Sequence, residues 1–107
     1  MICRIWHGWT LPANADAYER LLRSEIFHAI AERHIPGYLG IELLRREKEG
    51  LAEFVTLMWF ESLADVAAFA GADYETAVVP PAARALLHHF DQRSAHYDVR
   101  RPRGATP

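Results

Sequence analysis

The 107 residues predict an α+β fold of ferredoxin-like order: strand, helix, strand, strand, helix, strand. Three observations carry that expectation. The stretch from Glu53 to Ser62 is the most apolar in the chain, with Val55, Leu57 and Trp59 on one alternating face and Phe54, Met58 and Phe60, with Thr56, on the other. A β-branched and aromatic run without Gly or Pro reads as a central strand buried on both sides. Two amphipathic helical patterns alternate with the strand patterns. Turn residues fall where this order needs them, at Pro36-Gly37, Lys48-Glu49-Gly50, Gly71 and Pro80-Pro81. Two right-handed crossover units then give a four-stranded antiparallel sheet with helices on one face. A chain this short has little left for the other face, so the expected second cover is another copy of itself.

Taken in order, Ile2 to Thr10 alternates through Ile2, Ile5, Trp6 and Trp9 and reads as the first strand. Leu11 to Asn14 ends it. Asn14 is the expected helix N-cap, with Asp16 in the first turn complementing the helix dipole. Tyr18, Leu21, Leu22, Ile26, Ala29 and Ile30 then recur at helical spacing to about Arg33. The second strand runs from Tyr38 to about Glu47, and the turn at 48–50 makes it a hairpin with the third. Ser62, with Asp65 three residues on, has the pattern of a capping box for a helix through Val66, Phe69 and Ala70. Gly71 closes that helix. Residues 73–79 suggest a further helical turn. Pro81 opens a short helix over 82–88, and Phe90 to Val99 reads as the last strand.

The domain expected from this pattern covers residues 1–100, followed by a flexible basic tail over 101–107. Net charge is −2, and setting aside Arg100, Arg101 and Arg103 leaves −5 on the rest. An acidic body argues against a nucleic-acid surface. Cys3 is the only cysteine, so no intrachain disulfide forms. That usage, with no basic-then-apolar leader and no run near ~20 apolar residues, points to the cytoplasm rather than a membrane.

Several chemistries lack their motifs. His28 and His34 lie six apart on a helix, about 240° round at ~100° per residue, and cannot share a metal from one face. His88 and His89 diverge at a junction. No HxxxH and no cysteine pair is present, so no metal site is expected. Neither GxGxxG nor a P-loop occurs, which removes the usual phosphate cradles for nucleotide cofactors. Cys3, in an apolar strand, reads as a small buried hydrophobe rather than a nucleophile.

Arg4-Ile5-Trp6-His7-Gly8-Trp9-Thr10, Phe54 to Leu63, Asp73-Tyr74 and Ser94-Ala95-His96-Tyr97-Asp98-Val99 together resemble the dimeric α+β-barrel proteins of the antibiotic-biosynthesis-monooxygenase type. The resemblance spans about residues 2–100. It implies two sheets packed face to face into a barrel in a homodimer, with a pocket between sheet and helices in each subunit. Its members include cofactor-free monooxygenases on phenolic polyketides, quinol oxygenases, haem degraders and barrels without known activity, so fold and function are separate inferences.

The function this resemblance implies is a cofactor-independent monooxygenase acting on a small phenol- or quinol-like molecule with molecular oxygen. Such chemistry needs a flat apolar slot, a base and donors that stabilise an anion. Trp6, Phe54 and Trp59 are the candidate slot walls. His96 and His7 are the candidate bases, and Tyr74 and Arg84 the candidate donors. Strand parity puts Arg4 and Trp6 on one face of the first strand and His7 and Trp9 on the other; which face meets the helices is left open. Each residue also has a structural reading: tryptophans fill cores and interfaces, a strand histidine makes one hydrogen bond, and Arg84 pairs on a helix surface.

The alternative is a non-catalytic, small-molecule-binding or stress-type dimeric barrel, marked by the lack of any closed pocket above ~300 Å³. Haem binding is a third reading. Here the sequence departs from the haem degraders: Asn14, its only asparagine, is assigned to a helix cap, and residues 74–79 hold no histidine.

Overall fold

The computed structural model describes residues 1–101, so of the basic tail predicted over 101–107 all but Arg101 lies outside the described residues. The central ladder forms from the two most aromatic stretches. β1 (Ile2–Thr10) and β3 (Leu51–Phe60) pair antiparallel along their whole length, from Ile2 opposite Phe60 to Thr10 opposite Ala52. β2 (Tyr38–Lys48) pairs with the other edge of β3. Their connection is a two-residue turn in which Glu49 and Gly50 both take positive φ, 54° and 81°, the backbone that matches the twist of a tight hairpin.

Between β1 and β2 the chain is helical over α1 (Pro12–Leu21), a π-helical turn (Leu22–Ile26) and α2 (Phe27–Glu32). α1 begins earlier than the Asn14 cap predicts. Leu11 is the N-cap and Pro12 takes the first helical position, which proline's fixed φ favours. Asn14 instead reaches the Leu86 carbonyl at 3.5 Å, and Asp16 pairs with Arg45 of β2 at 2.9 Å rather than serving the helix dipole.

α3 (Leu63–Ala70) starts on the expected cap: the Asp65 N–H donates to Ser62 Oγ at 3.3 Å, and the Ser62 hydroxyl donates to the Asp65 carboxylate at 2.9 Å. α4 spans Pro81–Leu86. The last strand is broken into β4 (His89–Phe90) and β5 (Ala95–Asp98), both paired to β1. The break has a cause. Residues 73–79, expected as a helical turn, open with one hydrogen-bonded turn, Thr76 N–H to the Asp73 carbonyl at 3.2 Å, and run on to Pro80 as a strap that takes residues 92–94 as partners: Ala77 N–H to Gln92 O, Ser94 N–H to Glu75 O, and a bridge between Thr76 and Arg93.

The sheet order is β2-β3-β1 with β4 and β5 on the far side of β1. This is an α+β fold with an antiparallel sheet, and the barrel expectation is corrected: the sheet is open. Among the described residues β2 pairs only with β3, and β4 and β5 only with β1, so two edges stay unpaired there. A sheet four strands wide is too narrow to curl its edges together, since small closed barrels run to about eight strands.

Even-numbered residues of β1 and β3 point to the helices. They build two apolar clusters, one around Ala15, Tyr18, Leu22, Ala52, Phe54 and Ala83, the other around Ile2, Met58, Phe60 and Val66. Odd-numbered residues lie on the opposite face, which no described helix covers. β3 is thus buried on the helix face except at the half-buried Thr56, and half-buried on the other face except at the buried Glu53. Among the described residues no helix is long and apolar enough to cross a membrane.

Candidate functional site

The parity that the sequence leaves open is decided by the β1–β3 register. Arg4 and Trp6 share the helix-facing side with Thr56 and Met58, their cross-strand partners. Between the two apolar clusters, over this floor, lies a partly enclosed cavity of about 70 Å³. Leu22 and Ile26 of the π-helical turn, Ile41 of β2, Phe69 of α3, residues 78–80 of the strap and Ala83 of α4 complete its walls. The wide π turn sits directly over the cavity, a placement often seen where a helix serves a site. Trp6 lies flat across Gly8, where a Cβ would fall 2.7 Å from the indole ring. Its Nε1–H donates to the Asp91 carbonyl at 2.8 Å, a group made available by the break in the last strand.

The cavity's polar end is Arg4. The residue is only 4% exposed. Its guanidinium donates to the carbonyl of Tyr74 and, at 3.4 Å, to that of Thr76, and lies 3.0 Å from His96 Nε2. Because a guanidinium only donates, His96 Nε2 accepts, which places the imidazole proton on Nδ1. Burial lowers the Arg4 pKa to about 10. The His96 pKa is lowered from 6.5, first by burial and then by the Arg4 charge. The Tyr74 ring meets His96 edge-on at 5.1 Å. Ser94, just before β5, lines the same cavity, and its buried Oγ has no hydrogen-bond partner.

Of the residues singled out from sequence, Trp6 lines the cavity, and Tyr74 and His96 meet each other and Arg4 just outside its lining. The other four do not join them. Phe54 faces the helices but is fully buried against Tyr18, with ring centroids 4.8 Å apart, outside the cavity. Trp59 and His7 lie on the opposite face of the sheet and cannot wall the same slot. His7 Nδ1 is 2.9 Å from Glu53, whose carboxyl is also bound by Arg46 at 2.5 Å. The His7 hydrogen bond and then the Arg46 one hold Glu53 below its usual 4.5. Arg84 is exposed on α4, its guanidinium 5.4 Å from the centre of the Phe90 ring. The residues that sequence reasoning passed over are Arg4 and Ser94. An arginine inside an apolar strand, at the parity of Trp6, was the available signal for the first.

Among the described residues no three His, Cys, Asp or Glu side chains converge to hold a metal ion. A haem does not fit: the cavity is far smaller than the macrocycle, and His96 Nε2 is already engaged by Arg4. The larger hollows, between 310 and 490 Å³, are open surface concavities, one on the exposed side of α1 around Asp16, Glu19 and Arg23.

No family model matches the chain. No curated protein matches it either. A solved structure described as a "putative antibiotic biosynthesis monooxygenase" from Bacillus cereus is similar over 99% of this chain and 95% of that one, with a TM-score of 0.56 and 16% sequence identity. At that identity the likeness is one of fold. The family resemblance drawn from the sequence is corrected in two respects: this chain's own sheet is open rather than closed into a barrel, and no oxidoreductase or monooxygenase activity comes to this chain with a likeness of fold.

Proposed function

We propose that this chain binds a small molecule with an apolar body in the cavity between sheet and helices. The observation that supports it is the seam itself. Two packed clusters leave about 70 Å³ between them, and the polar end of that space carries Arg4 and Ser94, with His96 against Arg4 outside the lining. Its volume falls below the ~300 Å³ low end of drug-sized sites, which favours the small-ligand, non-catalytic reading over an oxygenase for large phenols. The lone Cys3 thiol suits a reducing compartment such as the cytoplasm. The experiment is a titration with 1-butanol and butyramide, followed by the Trp6 indole N–H resonance. Saturable shifts are expected, lost in Ala83→Met, which fills the cavity. Shifts that persist in that variant, or a silent Trp6, would refute the reading.

A second reading, cofactor-free oxidation, is favoured by one observation: His96 stands uncharged beside a cation and shares a face with Trp6. Once Arg4 releases it, His96 Nε2 removes a proton from a CH₂ made acidic by a neighbouring enol or phenol. The carbanion passes its electrons to O₂, and the hydroperoxide loses water to leave a carbonyl, so dioxygen supplies both oxidant and oxygen atom. Substrates of phenol size or larger require the strap over 71–80 to move. Oxygen uptake across small phenols and enolisable ketones tests this: His96→Ala should abolish it and Trp59→Ala leave it unchanged. The reverse result, or no uptake at all, removes the oxygenase.

A second copy of the chain is proposed to cover the opposite face of the sheet. Ile5, Val55, Leu57 and Trp59 lie half-buried there, flanked by Leu44 at 46% and Tyr97 at 57% exposure. His7, Arg46 and Glu53 form a charged rim on that face, polar groups of the kind that ring an apolar interface core.

A further inference from the structure

We infer that the polar end of the cavity is a receptor for a short-chain monocarboxylate, with Arg4 and Ser94 as its donors; this rests on the reading of the cavity as a ligand site and names the ligand's class. The charge distribution is the first argument. The chain has fourteen acidic residues, and several exposed arginines use them: Arg45 reaches Asp16, Glu19 and Glu47, and Arg93 reaches Asp73 and Glu75, while the exposed Arg33 and Arg84 meet carbonyls or an aromatic ring. Arg4, the buried one, has only neutral partners among the described residues, two backbone carbonyls and an imidazole. A buried cation without a counter-ion is costly, and a carboxylate is the group that relieves it.

Ser94 is an independent observation. Its hydroxyl is buried, lines the same cavity and has no partner. An unsatisfied buried hydroxyl is itself destabilising, and an acceptor placed in the cavity satisfies it. One carboxylate has two oxygens, enough to take a guanidinium N–H and a serine O–H together. Phosphate fits poorly, because a dianion with three acceptor edges meets only one cation here.

The rest of the cavity decides what the acid carries. Leu22, Ile26, Ile41, Met58 and Phe69 offer no donor or acceptor to a hydroxylated chain. The volume of 70 Å³ holds about five probe spheres at ~15 Å³ each. An unbranched or once-branched acid of three to five carbons matches both limits.

The test is a titration of the full chain with sodium butyrate, read at the Trp6 indole N–H resonance, against sodium chloride at equal concentration. Butyramide and 1-butanol serve as neutral matches of the same shape. Butyrate should bind one to one and at least tenfold tighter than butyramide. Arg4→Lys, which keeps the charge but not the fork, should erase most of that preference, and Ser94→Ala should weaken butyrate roughly fivefold, as loss of one hydrogen bond does. Equal binding of butyrate and butyramide, or butyrate affinity unchanged in both variants, would overturn the carboxylate assignment while leaving the cavity as a ligand site. Silence from all three compounds would overturn both readings together.

Discussion

Arg4 shows how much a single strand position can determine. Placed at the parity of Trp6, it is carried under the helices with the apolar residues around it and must find partners there. It finds the strap, through the carbonyls of Tyr74 and Thr76, and His96 across the β1–β5 ladder. The effect on His96 has a definite sign. Its charged form is disfavoured in the folded state by burial and by Arg4, so below its ordinary value of 6.5 the unfolded chain binds the proton more readily than the folded one. Stability contributed by this group is intact above that value and falls as the pH drops towards the lowered one. Glu53, held below 4.5 by His7 and Arg46, acts in a separate and more acidic window, its stabilisation lost as the pH falls through that region. Urea unfolding of the native chain and His96→Gln at pH 7.5, 6.5 and 5.5 separates the two. The native chain should lose stability relative to the variant across that range, and parallel curves would show that His96 carries no such linkage. Trp6 depends on its neighbour in a different way: Gly8 leaves the space in which the indole lies.

At the level of elements, local chemistry was legible wherever a side chain acts on its own backbone. Ser62 and Asp65 announced the start of α3, and the 48–50 turn announced the hairpin. The turn at 73–76 is local and was legible, but the strap's pairing with residues 92–94 was not, because it joins positions far apart in sequence. The same pairing splits the last strand and frees the Asp91 carbonyl for Trp6. The turn before β2 has its own constraint. Gly37 takes φ +79°, and a Cβ there would fall 2.1 Å from the Asp65 carboxylate. Gly37→Ala should therefore cost at least ~1–2 kcal/mol from the backbone alone, and disturb the α3 cap as well. Chemical denaturation measures it; a loss under about 0.5 kcal/mol, the usual range of surface changes, would mean that the contact is easily relieved.

For the whole molecule, the open sheet has one face under helices and one bare face of half-buried apolar residues. If a second copy covers it, sedimentation at micromolar concentration should give about twice the 12.2 kDa chain mass, and Leu57→Glu at the centre of that face should return the monomer. A native chain that sediments as a monomer refutes the dimer. The sequence by itself determined the order of the main elements, the identity of the central strands and the Ser62 cap of α3, since periodicity and capping are written within a few residues, whereas the cap expected at Asn14 gave way to Leu11 and Pro12. It also put Arg4 on the face of Trp6 and opposite His7. Only the tertiary structure decided which face meets the helices, because parity is symmetric until register and packing choose a side. That choice turned Trp59 and His7 away from the helices, replaced Arg84 by Arg4 as the buried cation, and set the cavity at the seam between two clusters. Burial creates those properties, and burial belongs to the assembled fold.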